Sequence, residues 1–357
     1  MSAGSRLLGA AAAGAGAVAT AALAGVVVER RVVKARRNAL PAAAELGSLR
    51  GKPQQVLTDD GVRLHVEVDE RAPYAGGSAE GQEPTLVFVH GYALNLDCFY
   101  FQREHFRGRR RMVFYDQRSH GRSERSSKEH ATIDQLGRDL LTVLDAVAPD
   151  GPVVLVGHSM GGMTLMALAE QHPELFGDRV VGAALLSTLA GGLRPHRVLG
   201  SILPDRLMSA VTPRVVAGLA KAPELVESAR RAGSNVGFLV TDRFAFGDDV
   251  PTAYVEFVDE MLAGTPIDVL AEFFPGFSTL DKFEALTAFA RVPTLVMCGT
   301  RDRLTSVGHS RKMAERIEGS RLVEERGAGH MVILERKDSV NAALDRLVAD
   351  ATAGAAA

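Results

Sequence analysis

The pentapeptide Gly157-His158-Ser159-Met160-Gly161 constrains the fold of this chain more than any other feature. An apolar run over residues 153–156 precedes it, and a stretch rich in helix-forming residues, 162–169, follows it. A serine in the pattern G-x-S-x-G between a buried strand and a helix is typical of a sharp turn that exposes the serine hydroxyl. Glycine is needed at both ends because a side chain there would collide with the strand or the helix. The pattern predicts a strand, a nucleophile elbow at Ser159 and a helix.

A serine hydroxyl becomes a nucleophile only beside a base, and the base needs a carboxylate to orient it. The apolar run 293–298 leads into Asp302, and the run 321–325 leads into His330. Each of these residues follows the carboxyl end of a predicted strand, the edge at which open α/β sheets gather their active sites. The order Ser159, Asp302, His330 along the chain therefore predicts a nucleophile, an orienting acid and a general base.

Residues 54–350 resemble the α/β-hydrolase fold family through these motifs and two more. His90-Gly91 follows the apolar run 85–89 and resembles the oxyanion loop of the family, with Gly157 and Gly161 supporting the elbow. The resemblance implies that the backbone amides of Tyr92 and Met160 bind the oxyanion. It also implies an α/β fold with a mostly parallel eight-stranded sheet, helices on both faces and a helical cap.

Segment 116–123 resembles the D-x-R-x-x-G-x-S segment of the family, and we interpret it as a structural turn beside the oxyanion loop. Asp116 could in principle be the acid, but the position of Asp302 fits better. His120 is expected to be a hydrogen-bonded loop residue. His158 adjoins the serine, but the x position of the elbow is expected to point its side chain away from the base. Serine at position 159 argues against the aspartate-nucleophile branch of dehalogenases and epoxide hydrolases.

Local patterns supply several further elements of the predicted sheet and its helices. Residues 54–58 and 62–68 are expected to be antiparallel strands joined by a turn at 59–61. Thr132, with Gln135 three residues later, predicts a capping box that opens a helix running to about residue 147. Residues 180–189 are expected to form another strand. Strands that alternate with helices in this way favour a parallel sheet covered on both faces.

We divide the chain into a head over residues 1–50, a core formed by 51–192 and 291–351, and a helical cap over 193–290. The strand alternation stops in the cap, where prolines separate several predicted helices. Nine of the fifteen phenylalanines lie there, and most are expected to form the core of a small helical layer. Some of them should line an apolar acyl or alcohol site; the candidates are Phe273, Phe274, Phe277 and Phe283.

The head contains an uncharged segment, residues 7–28, that is long enough to cross a bilayer but only weakly hydrophobic. Three interpretations stay open: a signal anchor, a cleaved export signal and a low-complexity tail. Five basic residues follow between positions 30 and 37, and such a cluster resists translocation. We therefore expect membrane association through residues 7–28 with the catalytic domain in the cytoplasm, and export as the alternative.

The net charge of −2, without a basic stripe, argues against nucleic acid as a partner. The sequence has no H-E-x-x-H or paired-cysteine spacing and no nucleotide-binding glycine loop, so no metal or cofactor is expected. Cys98 and Cys298 are expected to be buried free thiols. The oligomeric state stays open.

These patterns predict a serine hydrolase, esterase- or lipase-like, that cleaves carboxylic esters of apolar acyl or alcohol groups through an acyl-enzyme on Ser159. The expected partner is a small-molecule ester or a lipid substrate. Hydrolysis of a carbon–carbon bond, an amide or a lactone by the same three residues is an alternative. A non-catalytic protein that binds a hydrophobic ligand is another.

Overall fold

The computed structural model describes residues 46–72, 83–193 and 241–355, which contain one eight-stranded sheet. Its strands are β1 (Lys52–Leu57), β2 (Arg63–Asp69), β3 (Thr85–Val89), β4 (Met112–Tyr115), β5 (Val153–His158), β6 (Val180–Leu186), β7 (Thr294–Gly299) and β8 (Arg321–Glu325). Their order across the sheet is β1-β2-β4-β3-β5-β6-β7-β8. β2 pairs antiparallel with both β1 and β4, and every other pairing is parallel. The predicted mostly parallel eight-stranded sheet is confirmed.

Helices cover both faces of the sheet. They are α1 (Tyr100–Phe106), α2 (Ile133–Val147), α3 (Met160–Gln171), α4 (Thr252–Gly264), α5 (Ile267–Thr279), α6 (Leu286–Phe289), α7 (Val307–Ala314), α8 (Val332–Glu335) and α9 (Lys337–Ala355). Successive residues of a strand point to opposite faces. In β5, Val154 and Val156 accordingly pack with α1, α8 and α9, whereas Val153 and Leu155 pack with α2, α3 and α6.

The predicted turn at residues 59–61 forms, whereas the predicted capping box at Thr132 forms only in part. The 59–61 turn joins β1 to β2 in an antiparallel pair, as predicted. Thr132 caps α2, since its hydroxyl accepts a hydrogen bond from the Gln135 amide at 3.1 Å. The Gln135 side chain, however, donates to Asp139 and accepts from Arg138 instead of returning to Thr132. Only half of the capping box forms, because a buried carboxylate offers the amide a charged acceptor.

β6 ends at Leu186, three residues earlier than the sequence predicts. Ser187 has a φ of 45°, a left-handed conformation that an extended strand cannot include. Its amide still donates to the carbonyl oxygen of Met297 in β7 at 2.8 Å. After Ser187 and Thr188 the sequence is apolar again at Leu189 and Ala190, so the apolar character of the segment resumes past the turn that ends the strand.

The insertion between β6 and β7 leaves the core and returns to it at one place. The carbonyl oxygen of Ala190 accepts a hydrogen bond from the Lys282 amide at 2.6 Å, and Gly191 forms an isolated bridge with Asp281. α4 and α5 belong to the part of the insertion that the structure describes, and residues 194–240 of the predicted cap lie outside it. Beyond the Ala190–Lys282 pair, α6 packs in the core beside α3.

The predicted membrane segment, residues 7–28, lies outside the described residues, as does the rest of the head up to residue 45. Among the helices of 46–72, 83–193 and 241–355, none combines the length and the apolar character that a membrane crossing requires. Cys98 and Cys298 are both buried free thiols, as predicted.

Candidate active site

Ser159 lies in a strained turn between β5 and α3. It is the N-cap residue of α3, and its φ of 53° and ψ of −118° are rare for a residue with a side chain. Two hydrogen bonds hold this turn from β6 and the residues that follow it. The Ser159 amide donates to the carbonyl oxygen of Leu186 at 2.9 Å, and the Thr188 hydroxyl donates to the carbonyl oxygen of Ser159 at 2.7 Å.

The glycines on either side of this turn have no room for a side chain. A Cβ atom on Gly161 would lie 1.9 Å from the carbonyl oxygen of Val89, and one on Gly157 would lie 2.7 Å from the carbonyl oxygen of Gly161. The helix therefore starts in direct contact with β3 and β5. The steric reason that the sequence suggested for both glycines is confirmed.

Three side chains predicted to act together meet at the carboxyl edge of the sheet. His330 Nε2 lies 2.9 Å from Ser159 Oγ, and His330 Nδ1 lies 2.9 Å from Asp302 Oδ2. Asp302 can only accept a hydrogen bond when ionised, so we assign the Nδ1 proton to His330 and leave Nε2 to accept from the serine hydroxyl. Asp302 and His330 are buried, being 5% and 6% exposed. The arrangement can transfer the serine proton to an oriented imidazole.

The Asp302 carboxylate receives hydrogen bonds on both of its oxygens. Oδ1 accepts from the amides of Leu304 and Thr305, each at 2.8 Å. Oδ2 accepts from the Thr305 hydroxyl at 2.7 Å as well as from His330. Burial by itself raises the pKa of Asp302, but His330 and the Thr305 hydrogen bonds outweigh that effect and hold it below its usual value. The carboxylate is therefore ionised and fixed in orientation.

Asp116, the other carboxylate considered, makes no contact with His330. It accepts hydrogen bonds from the amides of Leu96 and Arg122, both at 2.8 Å, and so closes the turn of segment 116–123. Burial raises its pKa to about 6. A Cβ atom on Gly121 would lie 2.4 Å from this carboxyl group, so the fixed glycine of the segment also follows from packing.

His90 fixes the peptide between Gly91 and Tyr92. His90 Nδ1 donates to the Gly91 carbonyl oxygen at 2.8 Å, and Nε2 accepts from the Gln117 amide at 2.9 Å. Burial lowers the pKa of His90 to about 3, so the ring is neutral. In a trans peptide the N–H points opposite to the C=O, so the bond to the Gly91 carbonyl also sets the direction of the Tyr92 amide.

The amides of Tyr92 and Met160 are available as donors. Neither donates to an acceptor within the described part of the chain. Met160 is the first residue of α3, where the partial positive charge of the helix N-terminus favours a developing negative charge. A Cβ atom on Gly91 would lie 3.0 Å from the Cβ atom of Ser159, so the loop passes directly beside the elbow.

His158 does not point away from the base, contrary to the expectation for the x position of the elbow. Its ring centroid lies 5.0 Å from that of His330, and its Nε2 donates to the His330 carbonyl oxygen at 3.1 Å. Burial lowers the pKa of His158 to about 3. The residue is thus a neutral donor that supports the backbone of residues 326–331, the loop between β8 and α8 that carries His330 and is called the histidine loop below. The two positions in contact are 172 residues apart, so sequence spacing does not reveal this role.

His120 is a hydrogen-bonded loop residue, as predicted, and it is also buried. Its Nδ1 donates to the carbonyl oxygen of Arg118 at 2.9 Å, and burial lowers its pKa to about 4. The ring packs against Phe273 of α5 at a centroid distance of 5.4 Å. It therefore forms part of the contact between segment 116–123 and the insertion.

Glu335, which the sequence analysis did not single out, ties the histidine loop to the insertion. Its carboxylate accepts from the amide of Gly329 at 2.6 Å and from the amide of Gly247 at 3.1 Å. The Met331 amide in turn donates to the carbonyl oxygen of Ala245 at 2.8 Å. A lone acidic residue in a short helix carries no sequence signal for this role.

An apolar cavity of about 270 Å³ opens beside Ser159 and His330. Tyr92 lies in its wall, and the Tyr92 hydroxyl donates to the carbonyl oxygen of Leu270 in α5 at 2.5 Å. The other described residues of its wall are Met160, Met163, Leu193, Phe274, Phe277, Leu304 and Thr305.

Of the four phenylalanines considered as lining residues, Phe274 and Phe277 line this cavity. Phe273 packs on His120, and Phe283 lies under the cations of Lys312 and Arg316. No group of three or more His, Cys, Asp or Glu side chains in ranges 46–72, 83–193 and 241–355 could hold a metal ion.

Comparison with known proteins gives concordant results. The family model described as alpha/beta hydrolase fold matches residues 84–337. The 3-oxoadipate enol-lactonase 2 of Acinetobacter baylyi is 24% identical over 269 residues, which are 75% of this chain and 90% of the lactonase.

Solved structures share the fold over most of the chain. A hydrolase from Pseudomonas aeruginosa PA01 has a TM-score of 0.62 and 26% identity, covering 84% of this chain and 98% of its own. A thermophilic esterase from Thermogutta terrifontis has a TM-score of 0.63 and 21% identity, covering 85% of this chain and all of its own.

Proposed function

We propose that this chain, which belongs to the α/β hydrolase fold family, cleaves carboxylic esters of apolar acyl or alcohol groups through an acyl-enzyme on Ser159. Hydrolysis is the class of reaction that the family membership supports. The observation that carries the ester proposal is the 2.9 Å contact between Ser159 Oγ and His330 Nε2 at the mouth of an apolar cavity.

In the proposed acylation step, His330 Nε2 takes the hydroxyl proton as Ser159 Oγ attacks the ester carbonyl carbon. The negative charge that develops on the carbonyl oxygen is bound by the amides of Tyr92 and Met160, and each such donor contributes about 10²–10³ in rate in a comparable enzyme. The imidazolium is stabilised by Asp302. When the intermediate collapses, the bond to the alcohol oxygen breaks, and the alcohol leaves with the proton from Nε2.

Deacylation reverses these roles with water as the nucleophile. His330 Nε2 takes a proton from the water while its oxygen attacks the acyl carbon. The same two amides bind the second oxyanion. Collapse breaks the bond to Ser159 Oγ, which recovers its proton from the imidazolium, and releases a carboxylic acid. No cofactor enters either step.

The size and chemistry of the cavity support a small apolar group as the part of the substrate bound there. Its volume of about 270 Å³ lies just below the usual range for small-molecule pockets, about 300–1,000 Å³. Its wall contains thioether side chains from α3, aromatic side chains from α5, and the aliphatic side chains of Leu193 and Leu304. Such a wall favours transfer of an uncharged acyl or alcohol chain from water.

Two measurements test the ester proposal directly. The wild-type protein should be labelled once by a fluorophosphonate probe and should hydrolyse p-nitrophenyl esters of increasing chain length with a maximum at short or medium chains. Ser159→Ala is the matched control and should neither react nor turn over. Labelling that persists in Ser159→Ala would identify another nucleophile. Labelling of the wild type without turnover of any activated ester would favour the ligand-binding alternative.

A lactone is the second candidate substrate class. The observation that favours it is the similarity to an enol-lactonase over 75% of the chain. A lactone is an internal ester, so the same attack by Ser159 opens the ring and leaves the alcohol attached to the acyl chain. Running aliphatic lactones beside the p-nitrophenyl esters, with amide and diketone substrates in the same assay, separates these classes by their kcat/KM values.

The association of residues 7–28 with a membrane is likewise a proposal. It is supported by the uncharged segment and the basic cluster that follows it. Fractionation of cells that express the full chain tests it. Uncleaved protein in washed membranes supports an anchor, and a shortened form in the medium would reject it in favour of export.

A further inference from the structure

The Thr305 hydroxyl and the His330 ring share one oxygen of Asp302. Oδ2 accepts from Thr305 Oγ1 at 2.7 Å and from His330 Nδ1 at 2.9 Å, and the two donors lie 3.3 Å apart. We propose that Thr305 acts through Asp302 and limits how strongly His330 holds a proton. The inference rests on the proposed function, in which His330 is the base.

The hydroxyl is not needed to orient the carboxylate. Asp302 Oδ1 already accepts from two backbone amides, those of Leu304 and Thr305, each at 2.8 Å. Backbone donors of this kind remain when the side chain at position 305 changes. Thr305 is itself buried, with 4% of its surface exposed, so water does not replace its hydroxyl at Oδ2 in the folded protein. The hydroxyl therefore adds a third hydrogen-bond donor besides the two amides, and it donates to the same oxygen, Asp302 Oδ2, that accepts from His330 Nδ1.

The effect of this shared acceptor on the hydrogen bond between Asp302 and His330 can be predicted. A hydrogen bond to an ionised acceptor draws electron density from it and weakens its attraction for a second donor. With Thr305 present, Asp302 stabilises the imidazolium less than it would alone. The imidazolium therefore gives up its proton more readily, both to the leaving alcohol and on return to the resting state. Removing the hydroxyl should strengthen the bond between Asp302 and His330.

Several other titratable groups lie near Asp302 and His330, and the experiment must distinguish their protonation from that of His330. His158 of β5 contacts His330, Glu335 of α8 holds the Gly329 amide, and His309 of α7 and Cys298 of β7 interact electrostatically with Asp302. Burial lowers the pKa of His158 to about 3 and raises that of Cys298 to about 11, so neither changes charge near neutral pH. His309 and Glu335 require a control.

The test compares Thr305→Val, which keeps the shape but removes the hydroxyl, with Thr305→Ser, which keeps the hydroxyl. The acid limb of the kcat/KM profile on a p-nitrophenyl ester should move to higher pH in Thr305→Val, by a few tenths of a pH unit, and stay at the wild-type position in Thr305→Ser. The ring resonances of His330 in ¹³C-histidine protein, assigned with His330→Gln, should titrate with the same displacement. Because NMR reports His330 itself, changes at His309 or Glu335 are distinguished.

Three results would overturn the proposal. The first is an unchanged or lowered midpoint for His330 in Thr305→Val, even if kcat falls. The second is an equal displacement in Thr305→Ser, which would make the methyl group responsible. If Thr305→Val does not fold, Thr305→Ala takes its place, and its displacement is expected in the same direction. The third result is an unchanged midpoint for His330 in Thr305→Ala. The titration needs no turnover, so a wild-type protein that cleaves no ester would reject the proposed function and leave this test intact.

Discussion

His158 Nε2 donates a hydrogen bond to the carbonyl oxygen of His330 at 3.1 Å, so the residue beside the proposed nucleophile holds the backbone of the proposed base. The bond requires a proton on Nε2, and burial keeps the ring neutral with its pKa lowered to about 3. His158 Nδ1 has no partner among the described residues. The ring thus couples β5 to the histidine loop through one donor.

The neutral state of His158 predicts a loss of stability in acid. Its pKa is lowered on folding, so the unfolded chain binds the extra proton first as the pH falls below about 6.5, and the free energy of unfolding decreases from there towards about pH 3. His158→Gln keeps an N–H donor but cannot titrate.

Urea unfolding of both proteins between about pH 7.5 and about pH 4.5 checks this expectation. The variant should lose less stability than the wild type over that range. Some decrease should remain, because burial also lowers the pKa of His90 and His120. Identical pH dependence in the two proteins would contradict the assignment.

The strained backbone at Ser159 predicts a difference between two inactive variants. Both Ser159→Ala and Ser159→Gly should lose reaction with a fluorophosphonate and at least about 10⁴-fold in kcat. Ser159→Gly should be more stable than Ser159→Ala by about 1 kcal/mol, because glycine adopts a φ of 53° without strain. Thermal unfolding of the pair measures this difference. An alanine variant as stable as the glycine variant would mean that the turn stores no strain.

The two buried carboxylates predict opposite outcomes on substitution. Asp302→Asn should lower kcat by about 10⁴-fold, because an amide at this position favours the wrong tautomer of the imidazole. Asp116→Asn should destabilise the turn of segment 116–123 but keep labelling by the fluorophosphonate. Steady-state kinetics with a p-nitrophenyl ester and thermal unfolding of both variants test the contrast. An equal loss of kcat in Asp116→Asn would argue that this turn controls the catalytic geometry.

Gly161 and Gly276 predict opposite effects of the same methyl group. Gly161→Ala places a Cβ atom 1.9 Å from a β3 carbonyl oxygen and should prevent native folding or cost several kcal/mol. Gly276→Ala lies within α5 with no atom in contact range of the new methyl, and it should stabilise the protein by about 0.5–1 kcal/mol. Expression in soluble form and the Tm of each variant are the measurements. A stable Gly161→Ala variant would show that the elbow can move away from β3.

The Tyr92 hydroxyl predicts a link between the oxyanion loop and the insertion. Tyr92→Phe removes its bond to Leu270 and should cost about 1 kcal/mol, with a raised KM as α5 loosens over the cavity. The backbone amide is retained, so kcat should change less than KM. Tyr115→Phe is the matched control, since the buried Tyr115 hydroxyl has no partner within the described ranges. Equal effects in both variants would mean that the bond to Leu270 contributes nothing.

The parts of the fold that follow from periodicity were predictable. Buried parallel strands appear as continuous apolar runs, so β3, β5 and β7 could be located from the sequence, and Ser159 follows from the glycine pattern beside one of them. The end of β6 was not predictable, because Ser187 and Thr188 could equally lie within a strand that continues to Leu189, and only the left-handed conformation of Ser187 ends it.

The sequence patterns indicate the residues predicted to react, but they do not indicate the residues that support them. Thr305 and Glu335 act through hydrogen bonds to neighbours that only the folded chain brings close. Threonine after an aspartate and glutamate in a short helix are common in loops and surfaces, so neither stands out. His158 is adjacent to Ser159 in the sequence, but the direction of its side chain depends on how β5 meets the loop before α8.

The bond between Ala190 and Lys282 gives the chain a natural exchange point. The stretch between these residues could be replaced by an unrelated segment whose two ends lie side by side, provided that it keeps Ala245 and Gly247, which bind Met331 and Glu335 next to His330. A recombinant library that varies α5 and leaves Ala245 and Gly247 unchanged would redesign one wall of the cavity while it keeps these supports of His330. Because the insertion begins and ends at this one hydrogen bond, its sequence can change what enters the cavity while the residues of the sheet edge stay in place.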